Sequence, residues 1–150
     1  LPTVIDVGAD YSHYAADITR TILPSNPTAR QQKVYDAVKR VQQHALTLLK
    51  PGVTMHVYEQ DVEKAMAKEL VQLELITDES DRQAIRTYFP HASSHFLGLD
   101  VHDAGLYEKP LEPNMVVTCE PGIYIAEEQF GVRIEDDVLI TESGNRVLSA

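Results

Sequence analysis

The sequence predicts an α+β fold: an antiparallel β-sheet built from hairpins at the two ends of the chain, with flanking helices drawn from its middle. Three observations carry that prediction. Short β-branched runs separated by turn residues occupy residues 1–23 and recur after Met115. Between Pro27 and Leu73 the apolar residues instead return at three- and four-residue steps, the helical period. The 150 residues, 43% of them hydrophobic, suffice for one domain with an ordinary core.

Leu1 to Tyr11 reads as a strand that opens without a starting Met, as a fragment would, and no charged-then-apolar leader precedes Val4. Asp6 lies inside this apolar run, where burying a lone carboxylate costs several kcal/mol or drives it to take up a proton. Tyr14 to Leu23 is a second run with Asp17 in a similar setting, and Gly8 to His13 is turn material, so the two read as a hairpin. With the turn centred on Tyr11-Ser12, Asp6 and Asp17 stand directly opposite, their Cβ atoms roughly 4.5–5.5 Å apart. Two like charges so placed need a cation between them. His13, at the tip, is a turn residue.

From Pro27 to Lys50, Val34, Val38, Val41, Ala45 and Leu48 form one helical stripe, Thr28 and Gln31 fit a capping box, and Pro51-Gly52 ends the helix. Thr54 caps a second helix to about Leu73, with Val57, Val62, Ala65, Met66, Leu70 and Leu73 as its apolar face. Both helices are scaffold, and His44 and His56 on or beside them are surface residues. Thr77 to Arg86 is a charged loop or short helix.

His91 to Asp103 concentrates three of the six histidines. Phe96, Leu97, Leu99 and Val101 bracket His95 and His102, which places both imidazoles near the core. Glu108 to Asn114, with two prolines, is a connection. Met115 to Thr118 is a strand continuing through Cys119-Glu120-Pro121-Gly122 to Ile125, and Gln129 to Ile140 is its partner, after which Ser143-Gly144-Asn145 turns the chain. A turn centred on Glu127-Glu128 puts Glu120 opposite Glu135 on a shared face, provided no bulge at Gly122 or Gly131 slips the register.

The formal charge of −10 excludes a nucleic-acid surface, which needs clustered Lys and Arg. No apolar run is long enough to span a membrane. The single Cys119 permits no internal disulfide and fits a reducing, cytoplasmic setting. There is no internal repeat and no low-complexity segment.

Asp6, Asp17, Glu120 and Glu135 with one imidazole make an oxygen-rich, single-nitrogen donor set, suited to Mn²⁺, Co²⁺, Fe²⁺ or Zn²⁺. Four carboxylates balance two divalent cations, which at roughly 3.5–4 Å apart can activate water and polarise a carbonyl. The plainer alternative has these carboxylates facing water or paired with Arg20 and Arg133. His95 would then be a hydrogen-bonded core histidine, and His91 and His102 would be loop residues. Asp100, Asp103, Asp136 and Asp137 read as solvated or supporting groups.

Taken in order, Asp6, Asp17-Ile-Thr-Arg-Thr, Ser94-His95-Phe-Leu-Gly-Leu-Asp-Val-His102-Asp, Glu120-Pro-Gly and Arg133-Ile-Glu135-Asp-Asp resemble the metallopeptidases of the pita-bread fold. Within them the chain is most similar to Xaa-Pro aminopeptidases (aminopeptidase P), with prolidase next, over essentially its whole length. The resemblance implies that Asp6, Asp17, His95, Glu120 and Glu135 ligate two metals, most often Mn²⁺, with Asp17 and Glu135 bridging. It implies hydrolysis of the bond before proline in peptides with proline second, releasing the first residue. Glu120 would also move protons, and His91 and His102 would act as catalytic, substrate-contacting residues. Arg133 would orient carboxylates by hydrogen bonds, assisted by Tyr124.

Two positions depart from the family pattern: Ala92 stands where Gly is usual, and Cys119 where Val is usual. Strand alternation points Cys119 away from Glu120, making it a small core residue rather than a nucleophile. Members also carry an amino-terminal domain and an earlier part of the catalytic fold. Residues 1–150 therefore correspond to the C-terminal catalytic part of an incomplete pita-bread domain with an exposed sheet edge, and the full-length parent is expected to be a homo-oligomer. The alternatives to the aminopeptidase are an Xaa-Pro dipeptidase, a catalytically inactive fragment, or a pita-bread binding module that has lost its metal.

Overall fold

The computed structural model describes residues 1–149, and their elements follow the expected α+β order. Strand β1 (Thr3–Val7) pairs antiparallel with β4 (Ile18–Ile22), and the hairpin tip holds β2 (Asp10–Tyr11) and β3 (Tyr14–Ala15). Ser12 and His13 adopt φ of 52° and 70°, a two-residue turn whose twist matches that of the strands it joins. The turn thus sits one residue later than Tyr11-Ser12, and Asp6 faces Thr19 rather than Asp17. Moving a partner by two positions preserves the face, and Asp6 still helps to hold the Asp17 carboxyl above its ordinary range. Gly8 permits this closure: a Cβ there would stand 2.1 Å from the Ala16 carbonyl oxygen.

Helix α1 (Ala29–Leu48) starts at the expected capping box, with Thr28 and Gln31 each satisfying the other's backbone N–H. Val34, Val38, Val41 and Ala45 are buried, together with Ala37 and Gln42. Helix α2 (Met55–Gln72) is capped by Thr54. Its buried row is Met55, Tyr58, Val62, Met66 and Leu70, whereas Val57, expected on the inner face, is 49% exposed. The i+3 and i+4 steps lead to Tyr58, whose ring is the larger apolar surface to remove from water. Helix α3 (Arg82–Tyr88) begins where Asp81 accepts the Ala84 N–H, later than the charged stretch suggested.

The second sheet system is one long hairpin interrupted in the middle. Strand β5 (Val116–Cys119) pairs with β8 (Asp136–Ile140), β8 also with β9 (Asn145–Val147), and β6 (Gly122–Ile125) with β7 (Phe130–Arg133). Cys119↔Asp136 and Gly122↔Arg133 belong to the same register, so neither Gly122 nor Gly131 introduces a slip. Between them the ladder opens, since Pro121 has no N–H to donate, and Gln129 to Ile140 becomes two strands. Glu135 turns to the first hairpin instead, its N–H bonding the Thr19 carbonyl at 3.0 Å. That contact joins the two hairpins.

Residues 93–97 run along the free edge of β5, through Ser93 O to Glu120 N, His95 O to Thr118 N and Leu97 N to Val116 O. The core lies between α1, α2 and the β5–β8 sheet system, where Met66, Leu70, Val117, Ile123 and Val138 are all buried. Burying each such side chain contributes about 1.5–3 kcal/mol.

Candidate metal centre

Three breaks in regular structure converge on one point. Asp17 sits in the link between β3 and β4, Glu135 in the gap between β7 and β8, and His95 on the segment along β5. One ligand atom from each lies within 4.8 Å of the others. His95 Nδ1 lies 3.0 Å from the Phe96 carbonyl, which can only accept, so Nδ1 is the donor there and Nε2 is the nitrogen turned toward the carboxylates. That nitrogen is 3.5 Å from Asp17 Oδ2 and 3.3 Å from Glu120 Oε1.

Glu135 is buried and held on one side only. Oε2 accepts from the Thr19 hydroxyl at 2.5 Å, whereas Oε1 is buried without a hydrogen-bond partner. Such an oxygen normally has a donor or a cation. Burial raises the Glu135 carboxyl above its ordinary range despite the Thr19 bond. It also raises Asp17, reinforced by Asp6, and pushes Glu120 up to about 8, reinforced by Glu135. Three carboxyls made reluctant to ionise, an imidazole nitrogen aimed at them and an orphaned carboxylate oxygen fit a divalent cation, which would reverse all three shifts.

Asp6 and Glu120 stand just outside the three-residue group. Asp6 is half exposed, and its Oδ2 pairs with the Arg133 guanidinium at 2.5 Å. Glu120 reaches toward both imidazoles, with Oε2 3.9 Å from His91 Nδ1. His91 donates from Nδ1 to the Ala92 carbonyl at 2.7 Å, so Nε2 accepts from the Tyr124 hydroxyl at 2.8 Å. Tyr124 in turn accepts from Arg133 at 3.1 Å, and Arg133 Nε donates to Thr19 Oγ1 at 3.0 Å. Arg133 therefore ties Asp6, Thr19 and Tyr124 together.

His102 is not near the core. It is exposed, as are Leu99 and Val101, and its ring meets that of His95 in a T-shaped contact, 4.4 Å between centroids. Asp103 causes this, folding the loop outward by bonding its own N–H to the Phe96 carbonyl and its carboxylate to the Leu99 N–H. A Cβ at Gly98 would strike that carboxylate at 2.1 Å.

Asp136 and Asp137 are buried, which overturns the solvated half of their reading. Asp136 accepts from Arg20 at 2.7 Å, Gln42 at 2.6 Å and Ser149 at 2.8 Å. Asp137 accepts the Asp17 backbone N–H at 3.3 Å on both oxygens, and burial raises its carboxyl to about 6. Of the two arginines considered as partners, Arg133 pairs with Asp6 and Arg20 with Asp136. Thr19 joins the site without a role assigned to it from sequence, its one signal there being that Asp17, Thr19 and Thr21 at alternate positions mark a polar inner face of a strand. Cys119 is fully buried, near the Tyr58 hydroxyl at 3.6 Å, and burial pushes its thiol up to about 12.

Fold and donor set together define an α+β domain with a buried donor group that could hold a metal ion. The chain belongs to metallopeptidase family M24, whose family model matches residues 2–142. It is 42% identical to an Xaa-Pro aminopeptidase of Escherichia coli over 98% of this chain and 37% of the relative, and 38% identical to an Xaa-Pro dipeptidase of Pyrococcus furiosus over 97% and 39%. Among solved structures, a zinc-substituted E. coli aminopeptidase P in complex with product matches with a TM-score of 0.91 and 41% identity, covering 99% of this chain and 38% of that one. Alanine variants of the same enzyme at aspartates and histidines match equally well. The pita-bread architecture implied by the motifs is thereby shown, and the chain spans under two-fifths of the length of the curated relatives it matches.

Proposed function

We propose that this chain carries the metal centre of an Xaa-Pro aminopeptidase, an exopeptidase that uses two divalent ions, Mn²⁺ first among them, to release the residue preceding proline. The observation that carries the reading is the convergence of His95 Nε2, Asp17 and the unpartnered Glu135 Oε1. The relatives support it further. In the E. coli variants two substituted aspartates stand eleven positions apart, as Asp6 and Asp17 do, and two substituted histidines eleven apart, as His91 and His102 do.

In this reading Asp17, Glu135 and His95 would hold the ions, with Asp6 and Glu120 at the edge of the group as the further ligands. Bound divalent ions supply Lewis acidity, polarising the scissile carbonyl and acidifying water. The chain's own residues do the rest. Glu120 holds and returns a proton at Oε2, on the side facing His91. His91, its tautomer set by Ala92 and Tyr124, and the exposed His102 bind the peptide around the scissile bond. Arg133 orients Asp6.

The test is Mn²⁺-dependent release of the first residue from an Xaa-Pro tripeptide, with Asp17→Asn and His95→Ala each abolishing it. Turnover that survives both substitutions would overturn the assignment. A second reading, the Xaa-Pro dipeptidase, has the P. furiosus relative in its favour. Comparing Xaa-Pro dipeptides with longer Xaa-Pro peptides separates the two, since a dipeptidase prefers the former.

A further inference from the structure

The segment that carries His91 and His95 is bonded to β5 on one side only, and α2 holds its other side. Glu59, in the first half of α2, turns its carboxylate onto the Ser93 backbone, whose N–H donates to Oε1 at 2.9 Å and Oε2 at 3.1 Å. One turn further along α2, Glu63 accepts from Arg86 at 2.6 Å, and Arg86 Nη1 donates to the His91 carbonyl at 3.0 Å. Ser93 and Ser94 are buried and their hydroxyls have no partner, so on this side it is the backbone that is gripped. A carboxylate accepting a backbone N–H is a charge-assisted bond, shorter and stronger than a neutral one. Ser93 lies two residues after His91 and two before His95, so the grip falls midway between the two imidazoles.

We propose that Glu59 is a positioning residue: through the Ser93 N–H it fixes the segment from which His91 and His95 reach the centre, with Glu63 and Arg86 steadying the His91 end. Its consequence for metal binding rests on His95 being a ligand, as argued above. Without the grip His95 would keep its β5 bonds but lose its aim toward Asp17 and Glu135, and misdirecting a ligand by losing its supporting contact typically costs 10–100-fold in metal affinity.

The decisive comparison is made on the metal-free chain, with Glu59→Ala, Glu59→Gln and the wild type. Amide hydrogen exchange is read at Ser93 to His95, and side-chain ¹⁵N shifts at His91 and His95. Glu59→Ala is expected to speed exchange in the segment about tenfold or more and to shift both imidazoles, while Glu59→Gln, whose amide oxygen can still accept the Ser93 N–H, restores wild-type values. Arg86→Ala, at the more exposed end of the clamp, is expected to shift His91 more than His95, which gives the same comparison should the α2 variant not fold. Unchanged exchange and shifts in Glu59→Ala, or a Glu59→Gln variant that behaves like it, would overturn the proposal. A Co²⁺ titration of the same three proteins then reads the coupling, with at least about tenfold weaker binding expected for Glu59→Ala alone. A wild-type chain that takes up no Co²⁺ would overturn the metal-centre reading, while the exchange and shift data still decide the role of Glu59.

Discussion

At Thr19 a single hydroxyl does two jobs, donating to Glu135 Oε2 and accepting from Arg133 Nε. Thr19→Val keeps the shape but leaves the buried Glu135 carboxyl with no hydrogen bond, a loss of about 1–3 kcal/mol. Mn²⁺ binding measured calorimetrically should weaken by about 10–100-fold, and an unchanged affinity would show that Glu135 is aimed by something else. Cys119 gives the opposite expectation. Buried and with its thiol raised to about 12, it should resist thiol reagents in the folded chain and react only on unfolding. The core role of Cys119 was legible because strand alternation assigns sides independently of register. The role of Thr19 was not, because it depends on Glu135 leaving its own ladder to bond the other hairpin. His102 fails as a core residue for a related reason: apolar neighbours suggested burial, but Asp103 bonds the loop outward.

Among the elements, the helices were the most legible, because a capping box and a 3.6-residue period are local signals, and only the Val57 side of α2 departs from the expectation. The hairpins depend on turn geometry, which one residue can move. Ser12 and His13 both adopt positive φ, a conformation that most residues pay for and that Asn and Gly adopt readily. Replacing Ser12-His13 with Asn-Gly relieves left-handed strain of about 1–2 kcal/mol per residue, offset in part by the roughly 0.5–1 kcal/mol of extra freedom that Gly gives the unfolded chain, so a small net stabilisation is expected. Urea unfolding checks the gain. A loss of stability would mean that the turn is not where Ser12 and His13 place it. The register of the C-terminal hairpin is legible because Glu127-Glu128 does mark its turn, but at Glu120 and Glu135 the ladder opens, Glu120 bonding Ser93 and Glu135 bonding Thr19.

For the molecule as a whole, a charge of −10 is gathered partly into a centre where burial opposes ionisation. Without metal, Glu120 has its carboxyl near 8 in the folded chain against an ordinary value of 4.5, and Asp137 near 6 against 3.8. Both are raised on folding, so the folded state binds protons that the unfolded chain has released. Their contribution to stability is full below the ordinary values and is lost as pH rises through the folded ones. The metal-free chain should therefore lose melting temperature steadily between about pH 4 and pH 8. A bound divalent cation favours the ionised carboxylates and removes the cause of that slope, so Mn²⁺ should stabilise the chain most at the alkaline end and release protons as it binds. Parallel melting curves of chelator-treated and Mn²⁺-loaded protein from pH 5 to 8.5 test this directly. A metal-free melting temperature that stays level or climbs across that range would mean the carboxylates are already compensated by Arg133, Arg20 and solvent, and the fold would not need the cation its geometry accommodates.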